Sequence, residues 1–408
     1  MREAETLTIQ IDSLGYGGAG VGRAQGRVVF VPYGAPGDIL RVRVVEDRGS
    51  YLTGEILEIV EPGPGRRQPR CRHFGRCGGC AWQHVAYPAQ LAAKEAILRE
   101  SVRRIGGSEP AMAPIVASPR EWGYRVRTRL KLAEDGSLGY FAAGTNNLVE
   151  IVECPILDPR LAERIATLRS QYAGGPLRPA GAARAPRSHG RVPSSLELPG
   201  AAAAELAIEL GEADELVASY TDTADREEVG GLGFTQANPE VNSRLQELVR
   251  SYAEESVAPG APLTLLDLYC GDGNLSLPLA ERAKRIVGFD SSGVAIRRAR
   301  RRAAERGAAR ADYRCAPVES SRAAILELSK ESDCLILDPP RRGLKGLAEF
   351  VASLRVPLVL YVSCAPPALA RDLRVFAASG YRVELLQPLD MFPQSYHLET
   401  IAVLKRAD

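Results

Sequence analysis

The chain has 408 residues, more than one ordinary domain holds, so two or three domains are expected. Hydrophobic residues make up 45% and charged residues 25%, which excludes global disorder. The net charge of +2 decides nothing about nucleic acid; where the charges fall is more informative. There is no apolar run of about 18 residues, so no membrane span is expected. The first ten residues lack the apolar core of an export signal, which makes the cytoplasm the expected compartment.

Residues 5–60 read as short β runs, LTIQID, RVVFVP, ILRVRVV and LTGEILEIV. Glycine-containing turns, GYGGAGVGR, YGAPGD and EDRGS, separate them. So many strands in so short a stretch predict a small closed barrel of the OB type over 1–62, since closure removes sheet edges. The segment EPGPGRRQPR (61–70) reads as a linker.

A cysteine segment opens the central region, 63–232. Cys71, Cys77 and Cys80 have the spacing C-x5-C-x2-C, and Cys154 stands far away in ECPILD. In a reducing compartment, clustered cysteines suggest a metal or a catalytic group before disulfides. Four thiolates suit zinc or a 4Fe–4S cluster, and the spacing alone does not choose. Structural zinc sites usually show two paired C-x2-C knuckles and this chain has one. The glycines of CGGC would let backbone N–H groups approach sulfur. Arg66, Arg67, Arg70, Arg72 and Arg76 crowd the same segment.

Next, residues 87–106 predict a helix with an apolar stripe at Leu91, Ile97, Leu98, Val102 and Ile105. Residues 118–158 look β-rich. Within them, YRVRTRLKL (124–132) alternates, which would put Arg125, Arg127, Arg129 and Lys131 on one strand face. Such a stripe suits a phosphate backbone, or is simply a solvated face. Residues 173–205, rich in Ala, Gly, Pro and Arg, show no period and are expected to form a flexible or inserted loop.

From about 233 to 408, apolar strands alternate with helices: LTLLDLYC (263–270), RIVGFD (285–290), DCLILD (333–338) and PLVLYVSC (357–364). This order predicts an α/β domain with a mostly parallel sheet covered on both faces. The last two strands, 381–392 and 397–406, are too close for a crossover and should pair as an antiparallel hairpin at one end of the sheet. That pattern is associated with S-adenosylmethionine methyltransferases.

Three loops carry candidate chemistry. DLYCGDGNLSLPLA (267–280) is strand, tight glycine loop and helix start, with Gly271 and Gly273 allowing close approach by a ligand. It is neither GxGxxG nor a Walker loop. Asp290 follows 19 residues after Gly271 at the next strand end, where a carboxylate can accept both ribose hydroxyls of an adenosine. A dinucleotide oxidoreductase is the competing reading, and the terminal hairpin does not suit it. Asp338 heads DPPRRG, whose prolines stiffen the loop. Arg341 stands where amine methyltransferases often carry an aromatic residue.

Cys364 ends a strand in SCAPP (363–367), on the corner where side chains meet ligand, whereas Cys270, Cys315 and Cys334 read as core. Uracil C5 is too weak a nucleophile to take a methyl group unaided. A thiolate adding to C6 makes C5 enolate-like, and a base must then remove the C5 proton so that the cysteine can leave. Glu399, in YHLET, is the candidate base, with His397 expected on the same strand face.

Taken together, these motifs resemble the RNA uracil-5-methyltransferases that include the TrmA and RumA enzymes, over nearly the whole chain. Residues 5–60 resemble the TRAM RNA-binding barrel. FTQANPEVN (234–242) resembles the segment whose glutamine, here Gln236, contacts S-adenosylmethionine. DLYCGDGN resembles the cofactor loop, which implies that Tyr269, Gly271 and Asp290 bind the cofactor. DPPRRG, SCAP and HLET resemble the aspartate, nucleophile and base motifs, which implies those roles for Asp338, Cys364 and Glu399. The iron–sulfur members share the cysteine pattern, which implies a 4Fe–4S cluster on Cys71, Cys77, Cys80 and Cys154. Methyl transfer needs no electron, so such a cluster would be structural or orient RNA.

The resemblance further implies a monomer that acts on RNA, on 23S rRNA before tRNA, with the target base flipped out. Phe141 and Phe392 are candidates for stacking on that base, and the helix region 87–117 is expected to pack on the catalytic domain. Ala365 departs from the family, which carries asparagine after the nucleophile. Two other functions compete: a non-catalytic RNA-binding or redox-sensing iron–sulfur protein, and a methyltransferase acting on another RNA atom such as a base nitrogen. The first needs neither Cys364 nor Glu399; the second survives loss of Cys364.

Overall fold

The computed structural model describes residues 5–133, 137–172, 205–210, 216–221, 228–229 and 236–407. The loop expected over 173–205 therefore lies outside the described residues up to 204, and Glu205 already begins a strand. The chain divides into two compact units. One holds Met1–Ala93, Arg120–Leu232 and Phe392–Tyr396; the other holds Lys94–Pro119, Gly233–Met391 and His397–Asp408.

In the first unit, β1 (Thr6–Leu14), β2 (Gly20–Ala24), β3 (Arg27–Val31), β4 (Ile39–Asp47) and β5 (Tyr51–Glu61) close a barrel in the order β1-β2-β3-β5-β4. Alternate residues Ile9, Ile11, Val29, Val31, Leu40, Val42 and Leu52 fill its interior. β2 lies inside GYGGAGVGR, which reads as a turn from its glycines. It is a strand because it pairs with both β1 and β3, and glycine is needed there because a Cβ on Gly22 would clash with the Gln10 carbonyl oxygen. The barrel's outer arginines are matched with acids: Arg23–Asp12 at 3.5 Å, Arg27–Asp47 at 2.9 Å, Arg41–Glu58 at 2.7 Å, Arg43–Glu55 at 2.5 Å and Arg48–Glu46 at 2.6 Å.

A second sheet in this unit comprises β6 (Arg127–Leu132), β7 (Leu138–Phe141), β8 (Leu148–Glu150), β9 (Glu205–Leu210), β10 (Leu216–Thr221) and β11 (Glu228–Val229). Its order is β11-β10-β9-β6-β7-β8. The cation stripe expected on 124–132 does not form as an exposed row. Arg125 precedes the strand and its Nε donates to the Arg127 carbonyl at 2.8 Å. Arg127 is buried, 3.8 Å from Glu209, and Lys131 lies over the Phe141 ring at 5.2 Å. Only Arg129 of the four is exposed. Pairing on the neighbouring strand β9, invisible to local alternation, buried the charge.

The predicted helix forms as α1 (Tyr87–Ser101), followed by a π-helical turn at Val102–Gly106. Ile97, Leu98 and Val102 are buried as expected, but Ile105 is 38% exposed, because the wider turn shifts the helical phase. After β8 comes α2 (Pro159–Tyr172), which packs Leu161, Ile165 and Leu168 against Leu130, Leu138 and Ile208.

The second unit is built on α3 (Pro239–Glu254), β12 (Leu263–Leu268), β13 (Ala283–Asp290), α4 (Gly293–Glu305), β14 (Ala311–Cys315), α5 (Arg322–Ser329) and β15 (Cys334–Leu337). It continues through α6 (Ala348–Ser353), β16 (Leu358–Ser363), α7 (Pro366–Ala378), β17 (Tyr381–Leu389) and β18 (Glu399–Arg406). The seven strands run β14-β13-β12-β15-β16-β18-β17. The first five are parallel, and the closing β17–β18 hairpin is antiparallel, as expected. Residues 263–268, 334–337 and 358–363 are mostly apolar and almost wholly buried, as a sheet covered on both faces requires, with Thr264, Asp267 and Ser363 the polar exceptions. Cys270 and Cys334 are core residues, but Cys315 is exposed, because it ends the edge strand β14. No helix among the described residues is long and apolar enough to cross a membrane.

Candidate active site

In a parallel sheet the loops after the strands gather at one end, where ligands bind. Tyr269 and Gly271 follow β12, Asp290 ends β13, Asp338 follows β15 and Cys364 follows β16. β18 runs antiparallel to β16 with Ser363 opposite Thr400, so its first residue, Glu399, lies at that same end beside Cys364. Residues far apart in sequence thus meet because two strands end together. His397 precedes β18, so strand alternation does not reach it.

The charges here are frustrated. Glu399 is 3% exposed, and its carboxyl is held well above the ordinary range by burial and by the charge of Asp338, with Arg341 acting against both. Burial, with Asp290 nearby, pushes Asp338 up to about 7. Burial also raises the Cys364 thiol, with Glu399 and Asp338 adding to it and Arg341 opposing, to about 12. A carboxyl so displaced binds a proton more readily than an ordinary one, and a thiol so displaced ionises less readily. Arg341 is the cation that favours both charged forms, a role hidden in the sequence because it arises from the fold. Ala365 stands at the N-cap position of α7 with no side-chain cap; its N–H donates to Ser363 Oγ at 3.2 Å.

The glycine loop offers an open cradle. Gly271 has φ +55 and nothing within 4 Å of where a Cβ would sit, while a Cβ on Gly273 (φ +78) would lie 2.7 Å from Tyr313 Oη. Tyr269 also adopts a left-handed φ of +64, a strained conformation for a bulky residue. Asp290 is fixed by the N–H of Gly271 at 3.0 Å and of Ser292 at 2.7 Å. Each carboxylate oxygen keeps lone-pair capacity for a hydroxyl. Gln236, 6% exposed, stands just before α3. These residues fit an adenosine-bearing cofactor: an open backbone, an anchored carboxylate and an amide.

Sequence reasoning missed the braces of this loop. Asn242 and Asn274 exchange hydrogen bonds at 3.0 and 2.9 Å, and Gln246 Nε2 donates to Asn274 Oδ1 at 2.8 Å. They tie FTQANPEVN to DLYCGDGN; asparagines at both places were the only signal. Asp267 is 1% exposed and pushed up to about 8, by burial first and then by the charges of Asp338 and Asp290. Ser276 Oγ donates to Asp267 Oδ2 at 2.5 Å, and Oδ1 has no partner among the described residues.

In the first unit, three of the four candidate cluster cysteines are shifted, each partly by other cysteines of the set. Burial pushes Cys80 up to about 11 and Cys154 up to about 12; Cys71 and Cys77 add to Cys80, while Cys80 and Cys71 add to Cys154. Cys77 is also raised, by burial and then by Cys71. The N–H of Gly79 donates to Cys77 Sγ at 3.4 Å, as the glycines of CGGC allow. Cys154 lines a cavity of about 540 Å³ with Arg70, Trp122 and Tyr140. Among the described residues, no three His, Cys, Asp or Glu side chains are set to hold a single metal ion. Half-buried thiols, with Cys77, Cys80 and Cys154 held towards their protonated forms, fit a group that brings positive charge. Phe141 and Phe392 belong to this unit.

Residues 2–57 match the TRAM domain model, and 265–333 match a methyltransferase domain model. With the sheet order and the cradle, they define a class I S-adenosylmethionine-dependent methyltransferase carrying a TRAM barrel. The chain is 35% identical to an RNA methyltransferase of Thermosynechococcus vestitus, over 99% of this chain and 98% of that one. It is 33% identical, over the same shares, to the 23S rRNA (uracil(1939)-C(5))-methyltransferase RlmD of Methylococcus capsulatus. It is 32% identical to the enzyme of that name from Aeromonas hydrophila, over 99% and 97%. The protein belongs to the RNA uracil-C5-methyltransferase family. The crystal structure of Pyrococcus abyssi tRNA (uracil-54, C5)-methyltransferase in complex with S-adenosyl-L-homocysteine shares the fold. Its TM-score is 0.66 at 23% identity, over 98% of this chain and all of that one.

Proposed function

We propose that this protein methylates C5 of one uridine in 23S rRNA. The observation that carries the reading is the meeting of Cys364, Glu399, Asp338 and Arg341 beside the glycine cradle. S-adenosylmethionine, when bound by Gln236, Tyr269, Gly271, Asp290 and Asp338, supplies the methyl group. The target uridine leaves its stack to reach the site. Cys364 Sγ adds to C6, making C5 nucleophilic, and C5 takes the methyl group. Glu399 then removes the C5 proton, the C5–C6 double bond reforms and the Cys364 C–S bond breaks. Arg341 favours the thiolate and the carboxylate that these steps need.

Around this centre the proposal places a TRAM barrel over 1–62, a central iron–sulfur and RNA-binding domain over 63–232 and the methyltransferase domain over 233–408. Cys71, Cys77, Cys80 and Cys154 would hold a 4Fe–4S cluster as a structural or RNA-orienting element. The protein would act in the cytoplasm as a monomer. Anaerobically purified protein is expected to contain iron and to absorb in the visible range; stoichiometric zinc without iron would overturn the cluster. Nucleoside mass spectrometry on separated ribosomal and transfer RNA, from a deletion strain complemented with wild type or Cys364→Ala, tests the function. Loss of 5-methyluridine from the ribosomal fraction, restored only by wild type, is expected. Its loss from transfer RNA would reassign the substrate, and restoration by Cys364→Ala would point to a different methylated atom.

A further inference from the structure

Positive charge is unevenly spread over the chain. Between Gly293 and Arg314 there are eight arginines and two acids, Glu305 and Asp312, a surplus of six where the whole chain has a surplus of two. Three of the eight are matched: Arg302 with Asp272 at 2.9 Å, Arg314 with Asp312 at 2.7 Å and Arg301 with Glu305 at 3.6 Å. Arg300 Nε donates to the Tyr313 carbonyl at 2.8 Å. Among the described residues, Arg297, Arg298, Arg306 and Arg310 have no carboxylate within ion-pair reach. Arg297, Arg306 and Arg310 are exposed and Arg298 is half-buried. The barrel's outer arginines, by contrast, are matched with acids.

The fold keeps these cations at the surface. α4 buries Ala295, Ile296, Ala299 and Ala303, which leaves its arginines on the other faces. Arg297 and Arg298 stand near the end that follows Asp290, the cofactor end of the sheet. Arg306 caps the far end, about 12–14 Å along the axis at 1.5 Å per residue, and Arg310 follows in the turn after it. Ile286 pairs with Ala311, so exposed Arg285 stands beside Arg310 in register and adds to the basic surface. Like charges held together repel and favour a polyanion, and the guanidinium fork matches phosphate. None of the exposed large hydrophobic residues lies on α4, whereas a protein partner or a membrane would ask for apolar anchors.

We propose that the outer face of α4, with Arg310 and Arg285, is a phosphate-binding track for RNA that flanks the reacting uridine, outside the catalytic pocket. This rests on the RNA reading above. The test is the quadruple variant Arg297→Gln, Arg298→Gln, Arg306→Gln, Arg310→Gln, with the matching four-lysine variant as charge control. The probe is an in-vitro transcript of large-subunit ribosomal RNA, titrated from about 50 to 200 mM salt. The glutamine variant is expected to bind about tenfold or more weakly, with a log–log salt slope shallower by roughly 3. KM should rise while kcat holds, and the lysine variant should keep most of the affinity. Unchanged affinity and slope in the glutamine variant would overturn the track. Should wild type bind the transcript with a steep salt dependence, lost in the glutamine variant, yet form no 5-methyluridine, the methylation reading fails and the track stands.

Discussion

Asp38 in the barrel and Glu399 in the catalytic sheet are both almost fully buried, at 0% and 3% exposure, yet their carboxyls move in opposite directions. Burial pushes each upward. At Asp38, the Arg66 hydrogen bonds, the amides of Gly63 and Ala35 and the Arg66 charge together outweigh it, so the carboxyl ends below its ordinary value. At Glu399, the next largest influence is the charge of Asp338, which adds to burial, and Arg341 opposes only in part. One acid is fully satisfied and holds structure. The other is left favouring its protonated form, which is the property the proposed base role would use.

The sharpest way to break this contrast is to neutralise each acid's surroundings in turn. Glu399→Gln should cut turnover by about 10²–10⁴-fold with little loss of stability, read by single-turnover methylation and thermal denaturation. A drop in stability without loss of turnover would put Glu399 in the structural class. Arg66→Met should do the reverse, costing about 3–5 kcal/mol of stability because Asp38 is left buried without its cation. Denaturant titration reads this, and Asp38→Asn added to Arg66→Met should recover part of it. The folded-state pKa of Asp38 is lowered, so its contribution is present above the ordinary carboxylate range and is lost as pH falls through the folded value.

A smaller effect is expected at Arg341, which opposes the upward shifts of both Cys364 and Glu399. Activity should rise with pH as these groups ionise. In Arg341→Gln the rise should move to higher pH, with about a tenfold loss at a fixed pH on the acid limb for each unit moved. A pH–rate profile superimposable on wild type would remove Arg341 from the mechanism. The smallest effect is expected at Ala365. Ala365→Asn should restore a capping side chain to α7 and raise stability by about 1 kcal/mol, measured by the same denaturant titration.

The parts legible in the sequence were those set by local pattern. Mostly apolar runs at 263–268 and 358–363 gave the buried parallel strands, and glycines at 271 and 273 gave the loop. The short spacing of the last two strands gave the hairpin. What stayed hidden depends on partners distant in the chain. Arg127 is buried because β9 brings Glu209, and Lys94 is buried within a helix because Asp390 lies 2.5 Å away. Cys315 is exposed because its strand became an edge. Arg341 gained its influence, and Asn242 its partner Asn274, only once separate loops met at one end of the sheet.

The most direct test of the central claim is covalent trapping. RNA carrying 5-fluorouridine at the target should form a stable adduct with the wild-type protein when S-adenosylmethionine is present, because fluorine at C5 cannot be removed as a proton. The account predicts an adduct whose RNA-linked peptide contains Cys364 and which vanishes in Cys364→Ala. An adduct that persists in that variant, or methylation of ordinary RNA by it at the wild-type rate, would contradict the account.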